Sequence, residues 1–150
     1  MPLYFEDFQV GQRFTTPART VTEADIANFA GVSGDFNPIH TDAEFAKTTP
    51  FGERIAHGLL VLSMLTGLRQ RSGHFEGTLI AWLEIRNYRF LKPVLIGDTV
   101  HGETEILEKR ETSRPDRGVL VQRVRVVNQR GEVVQEGEFV TLVRRKEGGA

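Results

Sequence analysis

His57-Gly-Leu-Leu-Val-Leu-Ser-Met-Leu-Thr-Gly-Leu-Arg-Gln-Arg71 is the stretch that decides how this chain of 150 residues folds. Leu59, Leu60, Val61, Leu62, Met64, Leu65 and Leu68 cover nearly the whole circumference of a helix, which marks a buried helix rather than a surface one. Gly73 ends it. One stripe differs. Ser63, Thr66, Gly67 and Gln70 recur at i, i+3, i+4 and i+7, and such small or polar residues suit either tight packing on a sheet or close approach by another backbone or a ligand. The longest apolar run, Leu59 to Leu65 broken by Ser63, is far short of the roughly 20 residues of a membrane span.

Beyond Gly77 the pattern is that of strands. Leu79, Ala81, Leu83 and Ile85 alternate with Trp82, Glu84 and Arg86, so the two sets are expected on opposite faces. The apolar phase then passes to Tyr88 and Phe90, which predicts a bulge or bend near Arg86–Asn87. A strand over Val100–Glu108 puts Val100, Gly102, Thr104 and Ile106 on one face, and Glu111–Gly118 reads as a loop. Val119–Val127 and Val133–Val143 read as a hairpin around Asn128-Gln-Arg-Gly131. Ahead of the helix, one strand is expected around Gln12–Thr20. A second helix starts at the capping box Thr22-Glu-Ala-Asp25, with Ile26, Phe29 and Ala30 on its apolar face and Gly31 or Gly34 to stop it. Asp42 can cap a short helix over Ala43–Lys47.

Helices early and strands late, with one strand leading, define an α+β class in which an antiparallel sheet wraps around one buried helix. The length fits a single domain over residues 1–150, with Lys146–Ala150 as a disordered tail. A net charge of −1 and a pI near 6.4 advertise neither a nucleic-acid nor an anionic-membrane partner. The absence of cysteine excludes disulfides, thiolate metal sites and a cysteine nucleophile. Met1–Asp7 has no basic region followed by an apolar run, so a soluble cytoplasmic protein is expected. No Gly-rich phosphate loop, Gly-x-Ser-x-Gly elbow or dinucleotide fingerprint is present, and no cofactor is expected.

Chemistry concentrates in Ser33-Gly-Asp-Phe-Asn-Pro-Ile-His40 and in Phe51 to Leu60, just before the buried helix. Asp35 and His40 would stand about 17 Å apart on an extended chain. The Asn37-Pro38 turn can fold them together into an acid/base pair on one water. The plainer reading makes Asp35 a turn cap and His40 an ordinary loop histidine. His40-Thr41-Asp42 with His57 matches no zinc spacing, so a metal site is not expected. His57 reads as a hydrogen-bonded structural residue. Gly58 matters for its backbone, because an amide in a helix's first turn lacks an intrahelical acceptor and can hold a developing oxyanion. Arg69, Arg71, Arg86, Arg89 and Lys92 read as a solvated face rather than as phosphate contacts, and His74 and His101 carry no assigned role.

Ser33–His40, followed by Phe51…Ile55-Ala-His-Gly58-Leu-Leu, closely resembles the hydratase motif of MaoC-like dehydratases, which include the R-specific enoyl-CoA hydratases. The likeness extends to the flanking helices and to Phe90-x-x-Pro-Val-x-x-Gly-Asp98, covering most of the chain. It implies a hot-dog fold, an acyl-CoA thioester substrate and reversible addition of water to a trans-2-enoyl thioester. It also implies a homodimer, possibly assembled further. Asp35 and His40 would be the catalytic dyad, Gly58 the oxyanion donor and Asn37 a supporting residue. Thr66 would align with a serine on the central helix of some members and lie toward the substrate. A hot-dog acyl-CoA thioesterase and an acyl carrier protein dehydratase are the nearest alternatives. Many of those carry an acid on the central helix, and none occurs here between Glu53 and Glu76. A non-catalytic acyl-CoA-binding module would need neither Asp35 nor His40.

Overall fold

The computed structural model describes residues 1–147. A 3-10 turn at Phe5–Asp7 precedes β1 (Arg13–Thr15), β2 (Arg19–Thr20), α1 (Glu23–Ser33), α2 (Pro38–Thr41), α3 (Ala43–Ala46) and α4 (Gly58–Arg71). Then come β3 (Leu79–Phe90), β4 (Thr99–Glu111), β5 (Arg117–Val127) and β6 (Val133–Arg144). The strands form an antiparallel sheet in the order β1-β4-β5-β6-β3, and β2 also pairs with β4.

The single early strand expected over Gln12–Thr20 is divided. Arg13–Thr15 pair with Glu103–Glu105, and Arg19 and Thr20 pair with Val100 and Thr99. Pro17 lies between them and has no N–H to give the ladder. Thr16 bridges the gap: its N–H donates to the Gly102 carbonyl (2.9 Å), and its Oγ1 accepts from the Gly102 N–H (2.8 Å).

The capping box of α1 forms as expected, with Asp25 N–H on Thr22 Oγ1 (3.2 Å) and Thr22 N–H on Asp25 Oδ2 (2.9 Å). Gly34, at φ 75°, ends the helix in the left-handed region where glycine is unstrained. Asp42 caps α3 through the Phe45 N–H (3.0 Å). The β5–β6 hairpin closes at Asn128–Gly131, where Asn128 Oδ1 accepts from the N–H groups of Arg130 and Glu132.

Helix α4 lies on the sheet with Leu60, Val61, Met64 and Leu65 in the main core, against Val100, Val124, Val126 and Phe139. The burial is one-sided rather than all-round. Leu59 is 59% exposed, and Ser63, Gly67 and Gln70 share its open side, because the sheet wraps only one flank of the helix. Arg69 departs from the solvated face expected of it: only 7% is exposed, and the guanidinium reaches into the sheet.

Strand β3 also departs from its expected alternation. Trp82 packs on the core residue Phe139 with ring centroids 4.6 Å apart, whereas Leu83 and Ile85 stay exposed. Register shifts at Leu79/Ala81, Trp82/Glu84 and Arg86/Arg89 interrupt the period of two. The bend near Arg86–Asn87 is present, with Asn87 at φ 49°. Strand β3 ends the sheet order, and its neighbour in the ladder is β6.

Of the expected tail, Lys146 is held: its N–H donates to Glu6 Oε2 (3.1 Å) and its Nζ meets Asp7 Oδ1 (2.5 Å). Residues 148–150 lie outside the described residues. At the hairpin, hydrogen bonds from Lys92, Asn128 and Arg130 push the Glu132 carboxyl down to about 2 from an ordinary 4.5. A depressed carboxylate stabilises the fold fully above its unfolded value and loses that contribution as pH falls through the folded one. Urea midpoints measured between pH 4.5 and 2 should therefore fall less steeply in Glu132→Gln than in the parent protein.

Candidate active site

Asn37 adopts φ −51° and ψ 134°, the extended geometry that a following proline enforces, and Pro38 then opens α2 as its first residue. His40 therefore stands on a single helical turn rather than on the loop the sequence suggests. Asn37 Oδ1 caps that turn by accepting from the Ile39 N–H (3.1 Å). The Asn37 N–H donates to Asp35 Oδ1 (3.1 Å). Asp35 Oδ2 is left facing His40 Nε2 at 4.0 Å. The turn thus does what the spacing required.

His40 is buried, and its Nδ1 lies 2.7 Å from the Ile55 carbonyl. A carbonyl only accepts, so Nδ1 carries a proton, and in the neutral ring Nε2 turns its lone pair toward Asp35. Ile55 is itself fixed, through its N–H to the Ile39 carbonyl (3.1 Å) and through Ala56 N–H to Val94 O (2.7 Å). Arg54 clamps the same segment to α1 with a two-pronged pair on Glu23 (2.8 and 2.6 Å).

His57 is 2% exposed and donates Nε2–H to the Asp35 carbonyl (2.9 Å). Its ring stacks on His40 with centroids 3.9 Å apart and planes 24° apart, and meets the edge of Phe29. The structural reading of His57 holds, in a place that touches the backbone of one candidate and the ring of the other. Asp35, His40 and His57 offer ligating atoms within 4.8 Å of one another, a grouping that the sequence spacing did not suggest. Stacked imidazoles keep their in-plane lone pairs in near-parallel planes. A metal needs them to converge on one point about 2.0–2.1 Å from each nitrogen, so the donor set suits a metal poorly.

Gly58 begins α4 directly after His57, and its N–H has no intrahelical acceptor. Its Cα sits so close to Phe90 that a Cβ would lie 2.7 Å from the ring's Cδ1 and Cε1, which accounts for glycine at this position. The Gly58 carbonyl accepts from Gln135 Nε2 (3.0 Å), and Gln135 Oε1 accepts from the Tyr88 hydroxyl (2.7 Å). Burial pushes the Tyr88 phenol well above its ordinary value, so it stays a donor. Gln135 and Tyr88 escaped the sequence reading. The available signal was a glutamine on the inward phase of β6, in step with Phe139 and Thr141.

His40, Gly58 and Gln135 line one cavity of about 600 Å³, whose walls include Ile39, Phe51 and Val61. His40 and Gly58 thus share one cavity, and Asp35, outside its lining, reaches His40 at 4.0 Å. Thr66 is elsewhere: it lies two turns along α4, roughly 12 Å in helical rise from Gly58, and lines a different cavity. The Asn37 side chain serves its own turn rather than the cavity.

An antiparallel sheet closed over a long central helix, with polar groups at that helix's N-terminus, is the hot-dog fold. Residues 7–128 match the family described as MaoC like domain. Protein MaoC of Klebsiella aerogenes is 41% identical over 114 residues, 76% of this chain, and the chain spans only 33% of that protein's length. The (R)-specific enoyl-CoA hydratase of Aeromonas caviae is 33% identical over 90% of this chain and 95% of its own. A solved Archaeoglobus structure described as a monoamine oxidase regulatory protein is 42% identical, with a TM-score of 0.90 over 97% of this chain and 96% of that one. The chain belongs to the MaoC-like hydratase/dehydratase family.

Proposed function

We propose that the protein is an enoyl-CoA hydratase that adds water reversibly across the C2–C3 double bond of a trans-2-enoyl thioester. The observation that carries this reading is the 4.0 Å gap between Asp35 Oδ2 and His40 Nε2, with His40 and Gly58 lining one largely apolar cavity. Four ångströms is too long for a direct hydrogen bond and suits one water held by both groups. The dyad takes a proton from that water as its oxygen bonds to C3. The C2–C3 electron pair moves toward the thioester, whose oxygen gains enolate character and is held by the Gly58 N–H. Collapse of the enolate returns a proton from the dyad to C2, so water is added with no other reactant. One such oxyanion donor is worth about 2.7–4 kcal/mol in other enzymes.

The same reading includes a homodimer. Ile80, Leu83 and Ile85 are exposed along β3, an apolar edge of the kind that soluble proteins cover or pair. Crotonyl-CoA mixed with the purified protein should lose its enoyl-thioester absorbance without releasing free thiol. Thiol release without hydration would move the activity to a thioesterase, and silence in both assays across chain lengths would leave a binding module.

His57 enters as a positioning residue, since it bonds the Asp35 carbonyl and stacks on His40. His57→Leu should lower kcat by about 10–100-fold with KM little changed, because small misplacements of reacting groups carry penalties of that order. His57→Gln puts an amide N–H near the original Nε2 donor and should recover a good part of the rate. Equal loss in both variants would mean that the hydrogen bond to Asp35 is immaterial.

A further inference from the structure

Arg69 is a buried cation held by uncharged hydrogen-bond partners. Its Nη1 donates to Thr104 Oγ1 (2.7 Å) and its Nη2 to Gln122 Oε1 (2.6 Å), and Gln122 Nε2 continues the chain to Thr141 Oγ1 (2.8 Å). All of these partners are neutral. The guanidinium carbon lies 4.9 Å from the Phe75 ring centroid and 5.2 Å from that of Phe139. Among the described residues no carboxylate forms an ion pair with it. Burial lowers Arg69 to about 10, which leaves it charged at neutral pH. An ion pair or its absence is decisive in such surroundings, because burying an uncompensated charge is strongly unfavourable.

A cavity of about 400 Å³ adjoins this charge, lined by Arg69 with Thr66, Gln70, Phe75, Leu79 and Trp82. Phe75, Leu79 and Trp82 form an apolar wall, and Thr66, Arg69 and Gln70 supply a hydroxyl, a cation and an amide. A phosphate or polyphosphate is normally met by several cations in a wet groove. A single forked guanidinium facing an apolar wall suits a carboxylate at the end of an apolar chain. We propose that the Arg69 cavity is a binding site for such a carboxylate. The carboxylate comes either from a free fatty acid or from the far end of a thioester's own acyl chain. Arg69 has N–H groups beyond the two engaged with Thr104 and Gln122, and these supply the charge-assisted hydrogen bonds.

Trp82 is the single tryptophan of the chain and lies in the cavity wall, so its fluorescence reports occupancy directly. Titration of the intact protein with hexanoate and octanoate should change that fluorescence at concentrations at least about tenfold below those needed for hexanol and octanol, the gap expected of a charge-assisted contact. Arg69→Met, close in volume and uncharged, should erase the difference between acid and alcohol. If Arg69→Met does not fold, the comparison of acid with alcohol on the parent protein still decides the matter. Equal responses to both, or none to either, would overturn the site. A kinetic arm separates the two sources and alone rests on the hydratase reading. If enoyl-CoA substrates ending in a carboxylate gain over methyl-ended ones of equal length, and Arg69→Met abolishes the gain, the acid belongs to the substrate. Acid binding with no such gain identifies a site for the free acid, and it stands even if the protein hydrates nothing.

Discussion

In Asp35→Asn and His40→Asn, hydration of a 2-enoyl thioester is expected to fall by about 10²–10⁴-fold each, the usual worth of a positioned acid/base group. The geometry makes these clean substitutions. Asparagine at 35 retains an oxygen for the Asn37 N–H, which now bonds Oδ1 at 3.1 Å, while its amide cannot accept a proton. Asparagine at 40 can place its amide nitrogen where Nδ1 donates to the Ile55 carbonyl, keeping that buried acceptor satisfied while the basic Nε2 disappears. Unchanged circular dichroism and oligomeric state would show that only the chemistry is lost. Because the two groups hold one water, the double variant should be little worse than either single one. Multiplying losses would mean that Asp35 and His40 act separately.

The second large effect concerns the bed of the central helix. Leu65 is 1% exposed, and one of its methyl carbons, Cδ1, lies 2.4 Å from where a Cβ on Gly102 would stand. Glycine at 102 is thus the socket for Leu65. Leu65→Ala should cost about 2.7–5 kcal/mol in urea unfolding at fixed protein concentration, the range for buried leucine truncations. Gly102→Ala alone should cost about 1–3 kcal/mol through overpacking. Combined, they should cost clearly less than their sum, since the truncated side chain frees the space that the new methyl needs. Strict additivity would show that the helix is not seated on Gly102.

The parts of this fold legible in the sequence are those set by local chemistry. Thr22 and Asp25 announce α1, Asp42 announces α3, and Asn128–Gly131 announces the β5–β6 turn, because each motif satisfies its own backbone groups. The gathering of Asp35 and His40 was legible for the same reason, as Asn37-Pro38 dictates a turn on its own. What escaped depends on partners distant in the chain. The apolar count of α4 cannot tell that one flank stays open, and β3 hides its phase behind register shifts. Arg69 looks like any surface arginine until Thr104, Gln122 and the rings of Phe75 and Phe139 close around it. Gln135 bonds Gly58 across a separation of 77 residues, which no local pattern encodes.

Water is expected to add to carbon C3 of an intact thioester at the Asp35–His40 pair. Crotonyl-CoA should be turned over in water enriched in oxygen-18 and the products weighed by mass spectrometry. One heavy oxygen is expected in the C3 hydroxyl of 3-hydroxybutyryl-CoA, with the thioester unbroken and the signal lost in Asp35→Asn. Label found instead in a released carboxylic acid, with free CoA beside it, would contradict hydration at C3.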